Sequence, residues 1–124
     1  MTGVQTCALP ISYVPHRLRE GYGLNLGAVQ RLHGEGVSLL VTSDCGTTSH
    51  KEIALAARLG MDVVVTDHHQ TDEEMPPAVA VLNPHRAGAL YPFRGLCSAA
   101  LAYKVAQAYQ IGRASCRERV YSSV

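Results

Sequence analysis

Two short runs, residues 37–42 and 61–66, are nearly continuous in apolar residues and rich in valine. Runs of this kind, lacking polar alternation, predict strands covered on both faces, as in a parallel sheet. Between them, over residues 48–59, Ile53, Ala56, Ala57 and Leu59 share one side of a predicted helix. Ser49, with Glu52 three residues on, has the form of a capping box, and Gly60 supplies the stop. Residues 24–33 predict an earlier helix with Leu26, Val29 and Leu32 inward and Gly34 at its end. A third strand is expected at 79–82, and a last helix at 98–109 with Leu101, Val105 and Ala108 on one stripe. Strands separated by helices imply the α/β class and right-handed βαβ crossovers.

A chain of 124 residues, 47% hydrophobic and 17% charged, suits one small domain. No run approaches the roughly 20 apolar residues of a membrane helix, and the first eleven residues lack the basic start of a secretory signal. Cytoplasm is the expected location. Cys7, Cys45, Cys97 and Cys116 are widely and irregularly spaced, which argues against a zinc ribbon or a disulfide framework. The net charge of +1 does not announce a nucleic-acid binder, so any such function must rest on a local site.

The two ends change that arithmetic. Residues 1–11 and 111–120 each resemble a translated sequencing adaptor, so the expectation is an insert at 12–110 flanked by artefact segments at 1–11 and 111–124. A natural tail is the alternative. Setting both ends aside leaves a net charge of about −1 and only Cys45 and Cys97 as cysteines.

The chemistry is expected where the strands end. The first runs out in Val41-Thr42-Ser43-Asp44 and the second in Val65-Thr66-Asp67-His68-His69. In an open parallel sheet the carboxyl ends of neighbouring strands line one crevice, so Asp44, Asp67, His68 and His69 should converge. Mixed oxygen and nitrogen donors suit manganese, zinc or iron better than calcium. Each residue also has a plainer explanation. An Asp after a strand is ordinarily a cap or turn former, and Asp44 before Gly46-Thr47-Thr48 fits that role. Adjacent histidines on an extended chain face opposite ways, so both serve one site only if they lie in a loop past the strand. Taken together, the triplet and Asp44 at matching strand ends favour a metal site.

The order Pro15-His16-Arg17, Glu20-Gly21-Tyr22-Gly23-Leu24, Asp44-Cys45-Gly46 and Asp67-His68-His69 resembles the DHH phosphoesterase superfamily. Asn83-Pro84-His85-Arg86, Tyr91-Pro92-Phe93 and Leu96-Cys97-Ser98-Ala99-Ala100-Leu101-Ala102-Tyr103-Lys104 narrow the resemblance to its RecJ branch, over about residues 13–110. The resemblance implies a three-layer, parallel-sheet DHH-type domain, here incomplete. It further implies a 5′-to-3′ single-stranded-DNA exonuclease of recombination and repair, a monomeric parent protein, and two-metal phosphodiester hydrolysis with Mn2+ or Mg2+. By the same resemblance Asp44 and His68 are metal ligands, and His69 lies beside metal and scissile phosphate. Asp67 orients the histidines.

Departures from the family pattern bear on activity. The family's Asp-x-Asp metal motif and a further downstream aspartate have no counterpart here. His16 stands where asparagine is common, and Ser98-Ala99-Ala100 replaces a more glycine-rich stretch. The expectation is a half-built site, unable to hold two metals tightly or to cleave DNA at a normal rate.

Arg17, Arg86 and His85 are the candidates for contact with nucleic acid, against the equally open reading of Arg17 and Arg86 as solvated surface charges. Tyr22 is expected to pack its loop, Cys45 to fill a tight turn, and Cys97 to pack at a helix start. Two other functions stay open: another DHH phosphoesterase acting on pyrophosphate, oligoribonucleotides or cyclic dinucleotides, and a non-catalytic DHH-like binding module. Retention of Asp44 together with the triplet argues against the latter.

Overall fold

The computed structural model describes residues 11–121, with side chains to residue 111. The amino-terminal artefact expectation therefore lies outside the described residues except at Ile11, as do residues 122–124 of the carboxyl-terminal one. Three parallel strands, β1 (Leu39–Ser43), β2 (Asp62–Thr66) and β3 (Ala80–Leu82), form a sheet in the order β1-β2-β3. Around it stand α1 (Arg17–Glu20), α2 (Leu26–Gly34), α3 (His50–Arg58) and α4 (Ser98–Tyr121). The α/β class with a parallel sheet is as expected. Register pairs Val41 with Val64, Thr42 with Val65 and Ser43 with Thr66, while Thr66 also pairs with Leu82. All three strands thus end at one level.

One face of the sheet makes the core. Val63 and Val65 from β2 meet Val29 and Leu32 of α2, Ile53 and Ala56 of α3, and Met61, with Leu40 and Val81 packed at the edges. Ile53, Val29 and Val65 have no exposed surface, and burying side chains of this size contributes about 1.5–3 kcal/mol each. The alternation of strand side chains puts Leu39, Val41, Asp62 and Ala80 on the other face.

That second face corrects the expectation of strands covered on both sides. Leu39 and Val41 are each 55% exposed, and Leu82 is 41% exposed. β1 is an edge strand, paired only with β2. Helix α4 touches β2, and its Leu101 is buried outside the main cluster. Among the described residues nothing covers Leu39 or Val41 as α2 and α3 cover the opposite side.

Several helix expectations are also corrected. Leu26 and Ala57 are exposed, because Ala28 on α2 and Leu55 on α3 take the places nearer the core. Ser49 precedes α3, but its side chain makes no capping hydrogen bond. The cap that forms is at α2, where Asn25 Oδ1 accepts from the Ala28 N–H at 2.8 Å. A helix connects β1 to β2, whereas β2 reaches β3 through residues 67–79 without one. Helix α4 continues through residues 110–121 beyond the expected stop. No proline interrupts that stretch, and its Ala, Arg and Glu residues favour helix. Among the described residues no helix is long and apolar enough to cross a membrane.

The turn after β1 is built tightly. Thr42 Oγ1 donates to the Cys45 carbonyl at 2.7 Å, and Thr66 Oγ1 donates to the Thr42 carbonyl at 2.5 Å. Gly46 sits at φ +114, where a Cβ would approach Thr42 Oγ1 to 2.8 Å and Val65 Cγ1 to 3.1 Å. Gly46→Ala is therefore expected to destabilise the chain by about 1–3 kcal/mol, read from urea unfolding. A midpoint unchanged from wild type would contradict this account of the turn.

Candidate metal centre

The register that levels the strand ends also assembles the site. The ladder runs one step past each strand: Asp44 N–H donates to the Thr66 carbonyl, and Asp67 N–H to the Leu82 carbonyl, both at 3.0 Å. Asp44 and Asp67 are thereby fixed at the mouth of the sheet. Asp44 also adopts a left-handed backbone, with φ 65. This conformation is uncommon outside glycine and best tolerated by Asp and Asn.

His68 and His69 lie in the loop just past β2, which removes the objection that neighbours on a strand face apart. Their ring centroids are 4.7 Å apart. Ligand atoms of Asp44, His68 and His69 all fall within 4.8 Å of one another. His68 Nε2 is 3.1 Å from Asp44 Oδ1.

Asp67 plays a different part. Its carboxylate is buried, at 2% residue exposure, beneath the histidine loop. Oδ1 accepts from His69 Nδ1 at 2.6 Å and from the His68 N–H at 2.8 Å, and Oδ2 accepts from the Thr47 N–H at 3.1 Å. Burial pushes this carboxyl up, but the hydrogen bonds from Thr47 and His69 outweigh it and hold the group below its ordinary value. An ionised Asp67 only accepts, so His69 Nδ1 is the protonated nitrogen. In the tautomer with the proton on Nδ1, Nε2 carries the lone pair that a cation would use.

Asp44 is also held below the ordinary carboxylate value, first by the Ser98 hydroxyl; partial desolvation opposes this, and the His68 and His69 imidazoles assist. Cys45, half-buried beside it, has its thiol pushed up by burial and by the Asp67 and Asp44 carboxylates. It stays protonated, outside the donor set.

The structure brings together three residues that were singled out as ligands or catalytic groups, Asp44, His68 and His69, with Asp67 supporting them from below. His85 is not in the donor group; its N–H donates to Asn83 Oδ1. Arg86 lines a cavity of about 550 Å³ beside α4. The guanidinium of Arg17 lies 5.2 Å from the Tyr22 ring centroid. Two packing expectations fail: Tyr22 is 80% exposed, and Cys97 is exposed at the start of α4.

Sequence reasoning gave no role to three residues that the site uses. Asn83, buried, donates through Nδ2 to Thr47 Oγ1 at 3.0 Å and to the His69 carbonyl at 2.9 Å. Thr47, fully buried, joins that bond to Asp67. Ser98 reaches Asp44 from α4. The available signal for Asn83 was its place one residue after β3, level with Asp44 and Asp67 at the other two strand ends.

A parallel sheet with a carboxylate and two imidazoles at its mouth defines an α/β protein with a strand-end site whose donors could hold a metal ion. The sequence profile of the DHH family, N-terminal domain, matches residues 5–122, and the chain belongs to that family. Within it the chain is similar to the single-stranded-DNA-specific exonuclease RecJ. It is 40% identical over 96 residues to that of Bacillus subtilis, covering 77% of this chain and 12% of the relative. To that of Escherichia coli it is 38% identical over 90 residues, covering 73% and 16%. To that of Thermus thermophilus it is 42% identical over 69 residues, covering 56% and 10%. The chain thus spans well under a fifth of the length of these relatives. A crystal structure of exonuclease RecJ bound to manganese aligns at a TM-score of 0.57 and 36% identity, covering 72% of this chain and 23% of that one.

The Asp67 network has a pH signature. A carboxyl held below its unfolded value of about 3.9 stabilises the fold above that pH, and the contribution is lost as pH falls through the folded value. Thermal stability is expected to fall steeply below about pH 4. In Asp67→Asn the midpoint at neutral pH should be lower and the acid dependence shallower. An acid limb as steep as wild type in Asp67→Asn would assign the titration to other groups.

Proposed function

We propose that this chain provides the cation-binding strand ends of a RecJ-type exonuclease that hydrolyses single-stranded DNA from its 5′ end in recombination and repair. The observation that carries the reading is the convergence of Asp44, His68 and His69 over the buried Asp67 carboxylate. The donor set fits a divalent transition metal: one carboxylate and two imidazoles, with coordination positions to spare for water and phosphate oxygen. The manganese in the similar RecJ structure supports Mn2+, with Mg2+ as the alternative.

In this reading Asp44 and His68 hold the cation, and His69 Nε2 stands beside both the cation and the scissile phosphate. Asp67 fixes the His69 ring and its tautomer through Nδ1, so the imidazole meets the site in one orientation. The cation, when bound, lowers the pKa of coordinated water and offsets charge on the phosphate oxygens. Arg17 and Arg86, both exposed, and His85 are assigned to backbone phosphates, which set the strand's path and carry no base specificity.

Two-metal hydrolysis needs further carboxylates. Among the described residues one group of three donors is found. The reading therefore gives this chain by itself one cation and little turnover, and it places full activity in a longer, monomeric, cytoplasmic protein.

The test is Mn2+-dependent digestion of end-labelled single-stranded DNA by this chain and by a full-length protein carrying it. Activity is expected in the full-length protein, released from the 5′ end and reduced about a hundredfold or more by His68→Ala. A full-length protein that ignores DNA but cleaves pyrophosphate or cyclic dinucleotides would replace the substrate while keeping the metal centre. Activity indifferent to His68→Ala would overturn the site.

A further inference from the structure

Ser98 is the first residue of α4 and lies 54 positions from Asp44 along the chain, yet its hydroxyl donates to Asp44 Oδ1 at 2.5 Å. Among the described residues it is the one hydrogen bond to the site that comes from α4. The remaining ones arise from the three strand ends and their loops, which the sheet already levels. Asp44 needs an anchor more than its neighbours do. Asp67 is buried and bonded at both oxygens, whereas the Asp44 side chain is 61% exposed. An exposed carboxylate rotates freely, and ordering it on binding a cation costs conformational entropy.

The Ser98 bond removes that freedom beforehand. Oδ1 accepts from Ser98, which ties the carboxylate to α4 as well as to the turn after β1, and His68 Nε2 lies 3.1 Å from the same atom. Helix α4 is itself fixed, through buried Leu101 and its contact with β2. The hydroxyl is therefore delivered by a packed element rather than by a mobile loop. We infer that Ser98 is a positioning residue for the cation: it orients the Asp44 carboxylate and couples the docking of α4 to occupation of the metal centre. The inference rests on the metal reading of Asp44, His68 and His69.

The test is a titration of the full 124-residue chain with Mn2+, reading free Mn2+ by its electron paramagnetic resonance signal. Wild type, Ser98→Ala, Ser98→Thr and His68→Ala would be compared, with amide hydrogen exchange across α4 followed with and without Mn2+. Ser98→Ala is expected to weaken Mn2+ binding about tenfold or more. Ser98→Thr, which keeps the hydroxyl, should stay within about threefold of wild type, since outer-shell losses exceed that. Mn2+ should slow exchange in the first turns of α4 in wild type and in Ser98→Thr, but not in Ser98→Ala. A merely structural role would lower the metal-free melting temperature of Ser98→Ala and leave this metal-dependent protection intact, which would overturn the inference. Equal Mn2+ affinity in wild type and Ser98→Ala, with His68→Ala weakened, would overturn it while leaving the metal centre standing. Wild type binding no better than His68→Ala would overturn both.

Discussion

The buried carboxylate of Asp67 is the group on which the rest of the site depends. Placing an ionised carboxylate at 2% exposure costs several kcal/mol unless donors replace its water. The donors come from two sources: the Thr47 N–H beyond β1, and the backbone and ring of the His68-His69 loop beyond β2. Asn83, beyond β3, closes the arrangement by bonding Thr47 and the His69 carbonyl. Three strand ends are thus tied through one anion. Removing any donor leaves a buried acceptor short, so the network holds the loops in a single arrangement.

That constraint explains how a small sheet presents a precise donor set. Strand register alone brings Asp44 level with Asp67, since Ser43 pairs with Thr66 and Thr66 with Leu82. It does not fix where the histidine rings point. The Asp67 bond to His69 Nδ1 does, by setting both ring orientation and tautomer. The division between a buried orienting carboxylate and an exposed binding one follows from their surroundings, because Asp67 lies under the loop and Asp44 at its rim.

The elements of the sheet were legible because buried parallel strands write themselves as valine-rich runs, and 61–66 and 79–82 match β2 and β3 closely. The positions of Asp44 and of the triplet followed from the strand-end rule. What stayed hidden depends on tertiary contact. The open face at Leu39 and Val41 was read as covered, since apolar sequence records what a strand is suited to meet rather than what lies against it. Ser49 had the form of a cap without the bond, because a side-chain pattern does not set ψ. Asn83 carried only its place just past β3, and Ser98 nothing that pointed to Asp44: their contacts exist only once β3 and α4 lie beside the other strand ends.

The asymmetry of the two carboxylates also says where the centre is adaptable. Asp67 answers to three strand-end loops that the core already holds, through Val63, Val65 and Ile53 beneath them. Its geometry is set by folding. Asp44 answers to a turn with φ 65, to the His68 ring and to a hydroxyl from α4, a helix that touches the sheet at β2. Its geometry is set by how α4 docks. Asp44 is thus tied to α4, whereas the His69–Asp67 pair is tied to the strand-end loops alone. A site built this way sets its imidazole frame from the strand ends and its exposed carboxylate from a separate helix, so the two halves of the donor set are held by different parts of the fold.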